Sequence, residues 1–248
     1  MDKNAPVIKA ENLSKTYRLS NRNRVEALKN VSLTISKGEF VIVSGPSGSG
    51  KSTLLSLLGS LDRPSEGRLF YGGDDITGFS DEELCRIRRQ RIGFVFQEFH
   101  LMPRMTAWEN VSIGLLPLGV REKERFRRAS DLLDQLGLHE RTFHRPEELS
   151  GGEQQRVSVA RALIHGPEIV LADEPTSNID AASARNVIKA LDERRAKGCT
   201  IILATHDADM FQKSYLQENA SMTHPSYCLY NGRIVSETCL EGNAPGMK

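Results

Sequence analysis

The run Gly45-Pro46-Ser47-Gly48-Ser49-Gly50-Lys51-Ser52 puts three glycines, three serine hydroxyls and a lysine within eight residues. Glycines let a backbone curl until successive N–H groups face one anion, and a lysine adds a compact positive charge for the β- and γ-phosphates of a nucleotide. The Ser52 hydroxyl is spaced to ligate Mg²⁺, and Thr53 follows within reach of an α-phosphate. A glycine-rich turn that binds nothing has the same composition; the context decides, because a buried strand must precede the loop and a helix must follow it. A second set of chemistry-bearing residues is Asp173 and Glu174, which end the apolar run Ile169-Val170-Leu171-Ala172. Asp173 is positioned to hold a metal-bound water, and Glu174 to accept a proton from an attacking one. An Asp-Glu-Pro turn also serves as a plain strand terminator, and it is the pairing with the phosphate loop that argues for hydrolysis.

The elements that would hold these groups are legible in outline. Val7 to Leu19 and Val31 to Ile35 alternate like short strands, and Lys37-Gly38 turns into the β-branched run Glu39 to Val43. After the loop, Leu54, Leu55, Leu57, Leu58 and Leu61 recur at helical spacing. Gly67 to Phe70, Gly72-Gly73 and Ile76 suggest a hairpin. From Ser80 to about Val157 the chain reads mostly as charged, amphipathic helix; strand signals return at Ile169 to Ala172 and Thr200 to Ala204, with a helix from Ala181 to Lys197 between them. The order predicts an α/β fold: a parallel-sheet core, an antiparallel N-terminal β portion, and a helical insertion over about 98–158. One domain is expected over 1–248, with a frayed tail at 241–248.

The 248 residues carry 39% hydrophobic and 26% charged side chains, the balance of a globular domain. A formal net charge of +1 offers no general attraction to nucleic acid, so none is expected as a partner. No apolar run reaches the roughly 20 residues of a membrane span, and Met1 to Glu11 lacks the apolar core of a secretory signal. Work at a membrane would therefore need a membrane partner. Cys85, Cys199, Cys228 and Cys239 form no CxxC pair and read as incidental thiols of a reducing compartment.

Leu149-Ser150-Gly151-Gly152-Glu153-Gln154-Gln155-Arg156 resembles the signature motif of ABC nucleotide-binding domains, and the resemblance covers nearly the whole chain. Physically, Ser150 and two glycines ahead of a helix make a second anion site that has no lysine. The resemblance implies a P-loop ATPase with ATP and Mg²⁺ bound, in which Ser150, Gly151, Gly152 and Glu153 face the γ-phosphate held by a second copy of the chain. It further implies Tyr17 as the aromatic stacked on adenine, although a strand tyrosine serves as well for packing. Gln97, in Phe94-Val95-Phe96-Gln97, resembles the glutamine that reaches metal and water, so that Ser52, Gln97 and Asp173 (through water) become the Mg²⁺ ligands. Asp180, in Ser177-Asn178-Ile179-Asp180, resembles the acid of the loop crossing the dimer seam. His206, in Ala204-Thr205-His206-Asp207, resembles the switch histidine at the γ-phosphate, and joins Glu174 and Gln97 as the implied catalytic set. One departure lies downstream: the stretch from Asp207 to Tyr227 lacks the usual short alanine-rich helix, and Met222 to Ser226 reads as loop.

The resemblance implies a homodimer that closes on ATP, docked under an integral membrane permease on the cytoplasmic face of the inner membrane. Phe99, Leu101, Met102 and Met105 are candidates for the docking groove, though apolar residues there serve a helical core equally. Arg121 to Arg128 reads as a solvated helix face. The wording Phe-Val-Phe-Gln-Glu-Phe-His-Leu-Met-Pro, then Thr-Ala-Trp-Glu-Asn-Val, is similar to the branch of lipoprotein-releasing (LolD), macrolide-export (MacB) and cell-division (FtsE) ATPases. Two roles stay open within it: force transmission for export or release of a lipoprotein, peptide or hydrophobic compound, and regulation through a membrane partner without transport. A soluble ABC ATPase acting on DNA or ribosomes would bring paired nucleotide domains, a coiled coil, zinc cysteines or a basic arm, and none of these is in the sequence.

Overall fold

The computed structural model describes residues 6–18, 24–177, 179–207 and 225–237. The tail at 241–248, Cys239, Asn178, and residues 208–224 of the divergent stretch lie outside them. Strands β1 (Ile8–Arg18), β2 (Arg24–Ile35), β4 (Glu66–Tyr71) and β5 (Asp74–Asp75) make an antiparallel sheet in the order β2-β1-β4-β5. The second sheet has the order β10-β9-β3-β8-β7-β6, from β3 (Phe40–Ser44), β6 (Ile92–Val95), β7 (Ile169–Asp173), β8 (Thr200–Thr205), β9 (Ser226–Tyr230) and β10 (Arg233–Ser236). All its strands run parallel except β10, which pairs antiparallel with β9 at the edge.

The parallel strands are apolar throughout because both of their faces are covered. Phe40, Ile42, Val170, Ala172, Ile201 and Leu203 point into one core, and Val41, Val43, Ile169, Leu171, Ile202 and Ala204 into another. The second core is closed by helix α1 (Lys51–Leu58), whose Leu54, Leu55, Leu57 and Leu58 are buried, and by the antiparallel sheet. Leu61, grouped with those leucines in the sequence reading, falls beyond the helix and is exposed. The first core is closed by α3 (Ala107–Ser112), α4 (Glu122–Gln135), α5 (Gly151–Leu163) and α6 (Ala181–Ala196). α6 starts where Asp180 Oδ1 accepts the amide hydrogens of Ala182 and Ser183, both at 2.9 Å, the arrangement of a side-chain N-cap.

Three elements differ from the expectation. β2 begins at Arg24 rather than Val31, because the mixed segment 24–30 is held by pairing with β1. The stretch read as helix from Ser80 holds helix α2 (Asp81–Arg91), capped by Ser80, and then β6, a strand of the central sheet paired with β7. Ser226, read as loop, opens β9 beside β3. On α4 the charged run is indeed a solvent face: Glu124 binds both Arg127 and Arg128, while Ala129, Leu132 and Leu133 are buried.

Candidate functional site

Four parallel strands finish at one edge of the central sheet. Ser44 is level with Thr205, Asp173 with Ala204, and Val95 with Ala172. The register therefore delivers Gly45, His206, Asp173-Glu174 and, two residues past Val95, the exposed Gln97 to the same rim. Carboxyl ends of strands in open α/β sheets are where ligands bind.

The phosphate loop starts at Gly45, whose φ is 149° and whose Cβ, if it had one, would lie 2.1 Å from the Leu229 carbonyl oxygen. It ends at Gly50, with φ 108°, which opens α1 with no side chain to cap the helix. The first-turn amides and the positive pole of α1 consequently face the loop interior. Lys51 is 6% exposed; its Nζ donates to the carbonyls of Gly45 at 2.8 Å and Pro46 at 3.2 Å. A cavity of about 380 Å³ opens beside the loop, lined by Gly48, Gly50, Lys51, Ser52 and Thr53 and walled by Val25, Ala27 and Asn231. Those wall residues carry no motif. Only the register shows their place, with Val25 the cross-strand partner of Tyr17.

Tyr17 is half-buried. Its hydroxyl donates to Asp62 Oδ2 at 2.9 Å, and the Lys15 ammonium lies 5.0 Å from its ring centre while bonding Asp62 Oδ1 at 2.6 Å. Burial raises the Tyr17 hydroxyl pKa and the Asp62 bond adds to it, so the group stays neutral.

Glu174 is the centre of the acidic end. Its φ of 47° is left-handed, an uncommon conformation for a residue with a Cβ. The turn is held by its amide bonding the Ala204 carbonyl at 2.9 Å and by Ser177 donating to its own carbonyl. The carboxylate lies between two side chains: Oε2 is 2.8 Å from His206 Nδ1 and Oε1 3.6 Å from the Lys51 ammonium. Asp173, beside it, has its pKa raised by burial, with the Ser52 hydroxyl bond pulling the other way. Its buried Oδ1 has no hydrogen-bond partner among the described residues. A buried carboxylate oxygen without a partner next to a serine hydroxyl is a donor set that suits a hard divalent cation.

The remaining candidates form a second group. Ser150 opens α5, its Oγ accepting the Glu153 amide at 3.3 Å while Glu153 Oε2 accepts the Ser150 amide at 2.8 Å, a reciprocal capping box. A Cβ on Gly152 would meet Ser183 Oγ at 2.3 Å, so the α5 start is packed onto the α6 start, where Asp180 caps. Gly152→Ala is expected to cost about 1–3 kcal/mol by overpacking, read as a lower thermal midpoint; an unchanged midpoint would mean α6 yields freely. The two groups are tied by Gln155, a signature-motif residue to which no role was assigned: it is 1% exposed and its Nε2 donates to the Pro175 carbonyl at 2.8 Å. No contact brings Ser150 to Lys51 or Glu174 among the described residues.

Comparisons with known proteins fit this geometry. The family model described as "ABC transporter" matches residues 28–177. The chain is 47% identical over 187 residues to an uncharacterized ABC transporter ATP-binding protein of Thermotoga maritima, covering 75% of this chain and 80% of that one. It is 47% identical over 233 residues to the macrolide export ATP-binding/permease protein MacB of Nitrosomonas europaea, covering 94% of this chain and 34% of that one. The chain thus spans about a third of the length of that export relative. Among solved structures, a dimeric ATP-binding cassette in a post-hydrolysis state with ADP and Pi is similar with a TM-score of 0.84 at 38% identity, over 95% of this chain and 100% of that one.

Proposed function

Because this chain belongs to the ABC transporter family, we propose that it is the ATP-binding, ATP-hydrolysing subunit of a membrane complex. The observation that carries the reading is the pair of buried Lys51 and Glu174, met by the exposed His206, beside the unpartnered Asp173 oxygen. Gly45, Pro46, Ser47, Gly48, Ser49, Gly50, Lys51, Ser52 and Thr53 cradle the phosphates, with adenine on Tyr17. Glu174 takes the proton of the attacking water, and His206 holds that carboxylate from the other side. Ser52, Gln97 and, through water, Asp173 would hold Mg²⁺, which when bound neutralises phosphate charge.

The second half of the site is Ser150, Gly151, Gly152 and Glu153 of another copy, with Asp180 in the seam loop. ATP then joins two chains and hydrolysis parts them. The similar solved cassette is dimeric, which supports this arrangement.

A groove of about 520 Å³ between α2, β6, α5 and the segment after α3 is lined by Phe94, Phe96, Ile113 and Pro117 together with Arg88, Arg89 and Arg161. It is the seat proposed for a cytoplasmic helix of the permease. Of the four residues named for docking, Leu101 packs on the core instead, while Met102 is exposed on a turn pinned by Asn110. No helix among the described residues is long and apolar enough to cross a membrane. The chain is proposed to lie on the cytoplasmic face of the inner membrane, beneath a permease, in a system that exports or releases hydrophobic or lipidated cargo.

Purified chain should release phosphate from MgATP with a rate per chain that rises with chain concentration, and EDTA should abolish it. A rate per chain independent of dilution would count against the two-chain site.

A further inference from the structure

Glu153 brings a negative charge into a turn proposed to receive a phosphate. A helix N-terminus attracts one anion readily, but in α5 the first turn already contains a carboxylate, bonded 2.8 Å from the Ser150 amide. That carboxyl is held down to about 2, chiefly by Arg141 and then by the Ser150 amide, so it is an anion at any working pH. Like charges at close range repel most where a partner surface excludes water.

The other oxygen of Glu153 is taken by Arg141. Arg141 Nε donates to Oε1 at 2.8 Å, and the Glu153 side chain is only 18% exposed, which separates this pair from a loose surface contact. Arg141 is also firmly based. It ends the short helical turn His139–Arg141, and the carbonyls of Thr142 and His144 just beyond accept the amides of Trp108 and Ala107 at the start of α3. The guanidinium is thus delivered from the α3 layer to the first turn of α5.

We propose that Arg141 is a positioning residue for the trans half of the ATP site: it cancels the charge of Glu153, so that the capping box is kept while Ser150 remains able to face the partner's γ-phosphate. Glutamate is a strong cap but a poor neighbour for phosphate; the arginine separates the two effects. The proposal rests on the two-chain reading above, and its consequence falls on assembly, because a chain's own nucleotide is held by its own Lys51.

The test uses the full chain with Glu174→Gln as parent, measuring the chain concentration at which ATP drives dimerisation, together with the affinity of the single chain for ATP. Arg141→Gln should raise that concentration about tenfold and leave single-chain affinity unchanged, and added salt should narrow the defect. Adding Glu153→Gln should restore assembly to within about threefold, because an amide still caps but carries no charge. A double variant as defective as Arg141→Gln alone, or single-chain affinity falling in step, would overturn the proposal. Failure of the parent itself to dimerise would instead overturn the two-chain site beneath it.

Discussion

A Glu174→Gln chain is expected to bind MgATP, run as a stable dimer, and hydrolyse at least about a hundredfold more slowly than the parent, the scale of removing a general base. Glutamine keeps the volume of the side chain and can occupy the same left-handed backbone position. The amide can still meet His206 Nδ1, 2.8 Å from the present carboxylate. What it loses is the ability to take a proton. The phosphate loop, Ser52 and the signature turn are untouched, so association proceeds and release fails. Size-exclusion with light scattering reads the dimer, and phosphate release reads the rate. A monomer in ATP, or turnover close to that of the parent, would remove Glu174 from the role assigned to it.

Lys51→Met should act at the opposite end of the cycle, weakening nucleotide binding by about a hundredfold, as expected for losing a charged hydrogen-bonding group worth about 3 kcal/mol. Lys51 is buried within the loop, and its ammonium already points at the carbonyls of Gly45 and Pro46. Methionine fills the space without the charge. Thermal unfolding separates this from a folding defect. Ligand at a hundred times the parental Kd stabilises the parent by about 2.7 kcal/mol but the variant by only about 0.4. The nucleotide-dependent rise in midpoint should therefore nearly vanish. A variant that keeps its full rise would show that the backbone cradle alone suffices.

The chemistry of the site was legible because it is local. Lys51 and Ser52 follow a strand and open a helix, and Asp173 and Glu174 end another strand, so each pair reads from its own neighbours. What hid was set by distant pairing. Ile92 to Val95 is four residues long and directly follows the charged helix α2 without a break, so only β7 beside it reveals a strand. In Arg24 to Asn30 the alternation of Val25 and Ala27 breaks at Leu28, and the segment is strand because β1 aligns it. Val25 and Asn231 line one cavity from positions 206 apart in the chain, and no spacing rule connects them. Glu153 was read as part of a motif, while its partner Arg141 lies in a short turn with no pattern of its own.

The same distances set a timetable for biosynthesis. The loop at Gly45 is backed by Leu229, its Ser49 carbonyl accepts the amide of Gly232 at 2.9 Å, and Ser44 lies beside Thr205 and Cys228. Such non-local closure is slow, and it waits for β9 and β10 to leave the ribosome. Until residue 232 is made, a growing chain carries the complete phosphate-loop sequence without the walls that shape it. Cellular nucleotide can stabilise the protein only once those strands have paired, which leaves the apolar strands of the earlier segments to chaperones until then.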